Sequence, residues 1–328
     1  MHDILRNRFQ GAFIGAYWGE VIATTRIPTH PAEDLQDQFD QQSDRQFDQQ
    51  SRPWFDRFKQ HLAQFSPVQS VHAQMTQKDS IAPPESAALI LVDSLPIALF
   101  YHDQPQYLRQ IMQTPLQHVE TTEAELTIVI GQLISLILRE RFRTFQAVDW
   151  LSEVLKTAEL SPQSQLAAAL HQLQAWADRS VSLPVVTARS AELCSESTGS
   201  QSILSAALLA LYSFLMTPDS IQLALWRWRR LPQPHPIGGL VLGLLAGLQQ
   251  GLLGIPLAWQ INFLQSSVST GMTDSIGPIL PMPILPFAPI DRLLALWSGI
   301  DPIDQLDANL WRETFPITAP PRVIRSPA

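Results

Sequence analysis

Apolar residues recur three and four positions apart through most of the chain beyond residue 85, and no stretch alternates as a strand hairpin does. This pattern predicts an all-α fold. Residues 4–24 read as a first helix with Asp3 as its N-cap. Residues 84–101 read as helix broken at Pro96, followed by a helix over 105–113. Residues 121–143 open with a Thr122…Glu125 capping-box pattern. Two further helices are expected over 145–160 and 161–179, the second with Ser161 as cap and Pro162 at the first helical position. Residues 199–216 and 217–230 complete the series, and the last again begins with a cap residue, a proline and an acid.

After Pro236 the pattern changes. Gly239, Gly243, Gly247 and Gly251 fall every fourth residue, so they share one helix face. The first helix has the same device in Gly11, Gly15 and Gly19, with Ala12 and Ala16 beside them. A glycine inside a helix costs about 1 kcal/mol relative to alanine. Two such stripes therefore predict two helices packed closely against each other. Residues 237–259 are also nearly uncharged, which raises a membrane span as the rival reading. Gln249, Gln250 and Pro256 count against it, and a buried helix is expected. Neither Gly-x-Gly-x-x-Gly nor Gly-x-x-x-x-Gly-Lys is present, so no phosphate loop is expected.

Two regions depart from the helical rhythm. Residues 29–85 are rich in Gln, Asp and Phe and carry a tandem octapeptide, Asp40 to Phe47 and Asp48 to Phe55. Two copies are too few for a solenoid, so this reads as a locally duplicated surface insertion. Residues 263–328 form a Pro-rich C-terminal extension in which regular helix is not expected before residue 290. Residues 1–262 are expected to form a single helical domain.

Composition narrows the function classes. Only 16% of the 328 residues are charged, the net charge is −8, and lysine occurs only at Lys59, Lys78 and Lys156. The tight basic clusters, Arg139 to Arg143 and Arg227 to Arg230, sit at ends of apolar stretches and read as helix C-terminal charge. A broad nucleic-acid face is not expected. Cys194 is the single cysteine, which excludes an intrachain disulfide and suits a reducing compartment. The first ten residues lack the apolar run of a secretory signal, so a cytoplasmic location is expected.

Residues 7–23, NRFQGAFIGAYWGEVIA, resemble the opening helix of the ADP-ribosylglycohydrolases. Residues 87–142 and 207–259 are similar to that family's middle and C-terminal helices, including an Ile-Pro-x-x-Trp ending at Trp259. The resemblance implies a compact all-α domain with Gly-striped central helices. It also implies hydrolysis of the bond between ADP-ribose and an acceptor, with two divalent ions, usually magnesium, held by Thr-Asp-Asp and Asp-Thr-Asp-Thr elements. Two hard dications need oxygen ligands and several negative charges. Here Leu231 to Pro236 stand on the family's Gly-Gly-Asp-Thr-Asp-Thr, which puts Gln233 and His235 at the aspartate positions. Glu20 keeps a carboxylate where the family has one, and no Asp-Asp or Asp-x-Asp occurs in the chain.

Glu20, Gln233 and His235 are thus vestigial site positions, and no catalytic or metal-ligating residue is expected. The resulting expectation is a non-catalytic binding or scaffold protein needing no cofactor, with ADP-ribose or a related nucleotide and a protein as partners. The alternative is an active hydrolase with a rebuilt, magnesium-bearing site. Each candidate also has a plainer reading. Glu20 is a helix-end carboxylate, His235 a Pro-flanked cap, and His102-Asp103 a solvated loop rather than an acid–base pair. Residues 271–279, GMTDSIGPI, echo the metal element but run into Pro281, Pro283 and Pro286, and read as an ordinary turn. Trp226, Trp228, Trp259, Trp297 and Trp311 read as core or interface anchors before they read as a platform for adenine.

Overall fold

The computed structural model describes residues 2–25, 53–65, 86–116, 121–139, 147–161, 163–193, 200–232, 234–269 and 287–299. Thirteen α-helices and one 3-10 turn make up the described chain, and no strand occurs among these residues. The helices are α1 (His2–Thr24), α2 (Pro53–Gln64), α3 (Ser86–Phe100), α4 (Pro105–Leu116), α5 (Thr121–Arg139), α6 (Ala147–Ala158) and α7 (Gln165–Asp178). They continue as α8 (Leu183–Leu193), α9 (Ser200–Met216), α10 (Ile221–Arg229), α11 (Pro236–Gln250), α12 (Leu257–Ser269) and α13 (Ala288–Trp297). The fold is all-α, as the periodicity predicts.

The two glycine stripes meet. Helices α1 and α11 run antiparallel, with Gly11 against Gly247, Gly15 against Gly243 and Gly19 against Gly239. A Cβ placed on Gly243 would lie 1.9 Å from the carbonyl oxygen of Gly15, and one on Gly15 would lie 2.1 Å from that of Gly243. The backbones touch, so no side chain fits between them. On another face of α11, Gly238 makes room for Trp228, whose indole is fully buried.

Gly251 ends α11 with φ 69°, a conformation glycine adopts without strain, and its N–H bonds the Gly247 carbonyl at 2.7 Å. At 15 residues, α11 is about 22 Å long against the ~30 Å of a bilayer core. Among the described residues no helix is long and apolar enough to cross a membrane.

Several sequence expectations are corrected. Pro96 does not break α3, which runs through it. Leu91, Val92, Leu95, Ile97 and Ala98 around it are all buried, and that packing outweighs the lost hydrogen bond. Asp3 lies in the first turn of α1 and is not its cap. The caps of α7 and α10 are Ser164 and Ser220, each three residues beyond the residue expected, and their hydroxyls accept from Ala167 and Leu223. Ser161 and Thr217 instead begin tight turns, their carbonyls accepting from Ser164 and Ser220. Glu125 takes a hydrogen bond from Ser164 rather than capping its own helix. Helix α13 starts at Ala288, with Pro289 in its first turn, two residues before a helix was expected.

The region read as a surface insertion contains α2, whose Phe55, Phe58 and Leu62 are buried in the main core. Arg57 grips Asp93 of α3 through two bonds of 2.6 Å each, and His61 Nε2 stands 3.1 Å from the same carboxylate. The rest of the octapeptide repeat lies outside the described residues. Helix α12 runs across residue 262, and Phe263 is buried against Phe13 and Tyr17 of α1. Helix α13 packs back on the bundle through Ile290, Leu293 and Leu294, with Arg6 of α1 forked onto Asp291 at 2.8 and 2.9 Å.

Candidate functional site

The C-terminal end of α1 meets the N-terminal end of α11, since Gly19 faces Gly239 and His235 is one turn before Gly239. Glu20, next to Gly19, and His235 therefore stand at the same end of the helix pair. Glu20 is fully buried. Its Oε2 accepts the N–H of Phe55 at 2.7 Å, and its Oε1 accepts that of Trp54 at 3.2 Å. These are free donors of the first turn of α2, where Pro53 supplies no N–H. A carboxylate from another helix thus caps α2, and the positive end of the helix dipole favours its charge.

His235 is the N-cap of α11, and Pro236 starts the helix. The His235 Nδ1 accepts the N–H of Ile237 at 3.3 Å, which requires that nitrogen to be unprotonated. Burial holds the imidazole below its ordinary pKa. The ring is half-buried. Gln233 lies outside the described residues, as do Cys194, Trp311 and the 271–279 echo.

These residues do not fit a pair of divalent cations. Among the described residues the junction offers one carboxylate, and both of its oxygens already serve α2. Among the described residues no three His, Cys, Asp or Glu side chains converge as a metal ion requires.

His102 is corrected from a solvated loop to a buried ring, 4% exposed, while Asp103 beside it is exposed. Its Nδ1 donates to the Leu99 carbonyl at 2.7 Å, and the ring lies between Trp297 (5.4 Å) and the edge of Phe9 (5.9 Å). Burial lowers its pKa, with Asp103 opposing that shift and Arg139 adding to it. Arg8, Arg139 and Trp297 join it around a cavity of about 280 Å³ at the opposite end of α1 from Glu20. Trp228 is core, Trp259 lies 5.2 Å from Trp18, and Trp226 is exposed under the Arg230 guanidinium.

Sequence reasoning missed a second cavity, of about 750 Å³, bounded by the α7–α8 turn, α8, α9 and the end of α10. Tyr212, Arg227 and Arg230 face it. The helix α8 that walls it was not expected, because its apolar face is short and ends before a polar stretch. The signal within reach was the pairing of Arg227 and Arg230, three apart and so on one helix face.

No curated protein matches this chain. The ADP-ribosylglycohydrolase family matches residues 26–276, a span that holds α2 to α12 and leaves α1 outside. That match covers most of the chain, and the all-α fold around the α1–α11 pair agrees with it, so the chain belongs to the ADP-ribosylglycohydrolase family.

Proposed function

We propose that this chain is a non-catalytic family member that acts by binding, as a sensor or scaffold, and needs no metal. One observation carries the reading. Glu20, the carboxylate retained at a family site position, is committed to two backbone donors of α2. Freeing it for a cation would strip a buried helix end of its cap. His235 supports the same reading, since its Nδ1 lone pair is spent on Ile237. ADP-ribose or a related nucleotide is the proposed small ligand. A protein partner and a cytoplasmic setting complete the proposal.

The test is hydrolysis of ADP-ribosyl-arginine and ADP-ribosyl-serine peptides, with and without magnesium. The expected result is no turnover above background in either condition. Magnesium-dependent turnover abolished by Glu20→Ala would overturn the proposal and establish a rebuilt hydrolase site. Calorimetric titration of ADP-ribose then separates a sensor, which binds without magnesium, from a scaffold, which does not bind.

A further inference from the structure

The cavity of about 750 Å³ between α8, α9 and the end of α10 is of ligand size. It reaches Leu231 and Pro232, where the vestigial loop begins, but neither Glu20 nor His235 lines it. Its charge is one-sided. Arg227 and Arg230 face it, and no Asp or Glu does among the described residues. Neither guanidinium forms an ion pair among those residues, although the chain carries a net charge of −8. Two arginines with no acidic partner among the described residues give this cavity a positive lining.

The surrounding geometry adds shape to that charge. The Cζ of Arg230 sits 3.4 Å from the centre of the Trp226 ring, so one face of the guanidinium is covered and its N–H edge is left to meet an acceptor. Arg227 lies near enough to Tyr212 to act on its phenol, whose hydroxyl donates to Val181 and retains acceptor capacity. Leu183 and Met216 give the cavity an apolar wall. Ser180, on its rim, holds φ at 49°, a left-handed conformation costly for a residue with a Cβ. A lone carboxylate would satisfy one planar arginine fork, whereas a phosphate group offers three oxygens and up to two negative charges to a pair.

We propose that this cavity binds an organic phosphate, with Arg227 and Arg230 on the phosphoryl oxygens and Leu183 and Met216 against the organic part. The inference rests on the binding role proposed above and locates it. It requires no divalent ion, because the two guanidiniums supply the positive charge.

The experiment is calorimetric titration of ADP into the full-length protein in EDTA, with adenosine as the probe that lacks phosphate. ADP is expected to bind one-to-one, and adenosine at least tenfold more weakly. The double variant Arg227→Gln/Arg230→Gln is expected to weaken ADP at least tenfold while its unfolding midpoint stays in place. Should that variant fail to fold, each single Gln variant is titrated instead, with a threefold or greater loss expected from each. Absence of ADP binding at millimolar concentration, or an affinity unchanged by the arginine substitutions, overturns the site. Turnover in the hydrolase assay would overturn the non-catalytic reading and leave this site standing. A cavity blind to phosphate would overturn the site and leave that reading standing.

Discussion

The carboxylate of Glu20 accepts the backbone N–H of Phe55 at 2.7 Å, across 35 residues of sequence. A position that resembles a metal ligand is thereby a cap for a neighbouring helix. Its removal leaves buried donors without an acceptor. Glu20→Ala is expected to cost about 2–3 kcal/mol in urea unfolding. Glu20→Gln keeps an acceptor oxygen and loses the charge at the helix end, and is expected to cost about 1 kcal/mol. Equal stability of the three proteins would show that the cap contributes nothing.

Gly15 and Gly243 are each other's ceiling. In an open helix, glycine to alanine gains about 1 kcal/mol. Here the new methyl meets a backbone carbonyl at 1.9 to 2.1 Å, and backbone cannot turn aside as a flexible side chain does. Overlap wins. Gly243→Ala is expected to destabilise by about 3 kcal/mol or more, and the double variant Gly15→Ala/Gly243→Ala to fail to fold. Thermal melts followed by circular dichroism read both, and a raised midpoint for Gly243→Ala would refute the contact.

His102 links stability to pH. Burial holds its folded pKa below the ordinary 6.5. Between the two values the unfolded chain binds the proton and the folded chain does not, so stability rises with pH there. Its contribution is fully present above 6.5 and is lost as pH falls towards the folded value. His61 and His235 are lowered by burial too and act in the same direction. Urea midpoints are expected to drop from neutral to mildly acidic pH, and His102→Gln to flatten that dependence in part. An unchanged slope in the variant would remove His102 from the account.

Helix α13 separates two kinds of contact. Leu293 is fully buried, whereas the Arg6–Asp291 pair lies at the surface. Leu293→Ala is expected to cost about 2–5 kcal/mol. Asp291→Ala is expected to cost less than about 1 kcal/mol, and less still in high salt. The two unfolding curves, measured at low and high salt, check both, and a small loss at Leu293 would mean that α13 is not part of the core.

Much of the candidate site was legible as residue types and little of it as partners. Glu20 and His235 could be placed at a helix end and before a proline from the chain alone. That Glu20 faces Trp54 and Phe55 could not, because α2 lies within a Gln-rich stretch whose apolar residues look like repeat accidents. Phe55, Phe58 and Leu62 are spaced for one helix face, yet Pro53 falls inside the octapeptide repeat, which hides it as a helix start. The burial of His102 is hidden from the sequence for a related reason. The loop after α3 is polar locally, and Phe9 and Trp297, both far from it in sequence, pack against the His102 ring.

What the sequence by itself determined is local. Apolar spacing specified the helices, and glycines four apart specified faces where backbones could meet, because both follow from the pitch of one helix. The small errors are local as well. Ser161 and Thr217 start turns and Ser164 and Ser220 cap helices, since each pair offers two hydroxyls three residues apart and packing selects the second. What only the tertiary structure decided is which groups share a space. The Glu20 carboxylate turns to α2, the His235 ring turns to its own helix, and Arg227 and Arg230 turn to a cavity walled by α8. Hydrogen bonds and charge–charge forces act over a few ångströms in space, and the fold alone sets those distances.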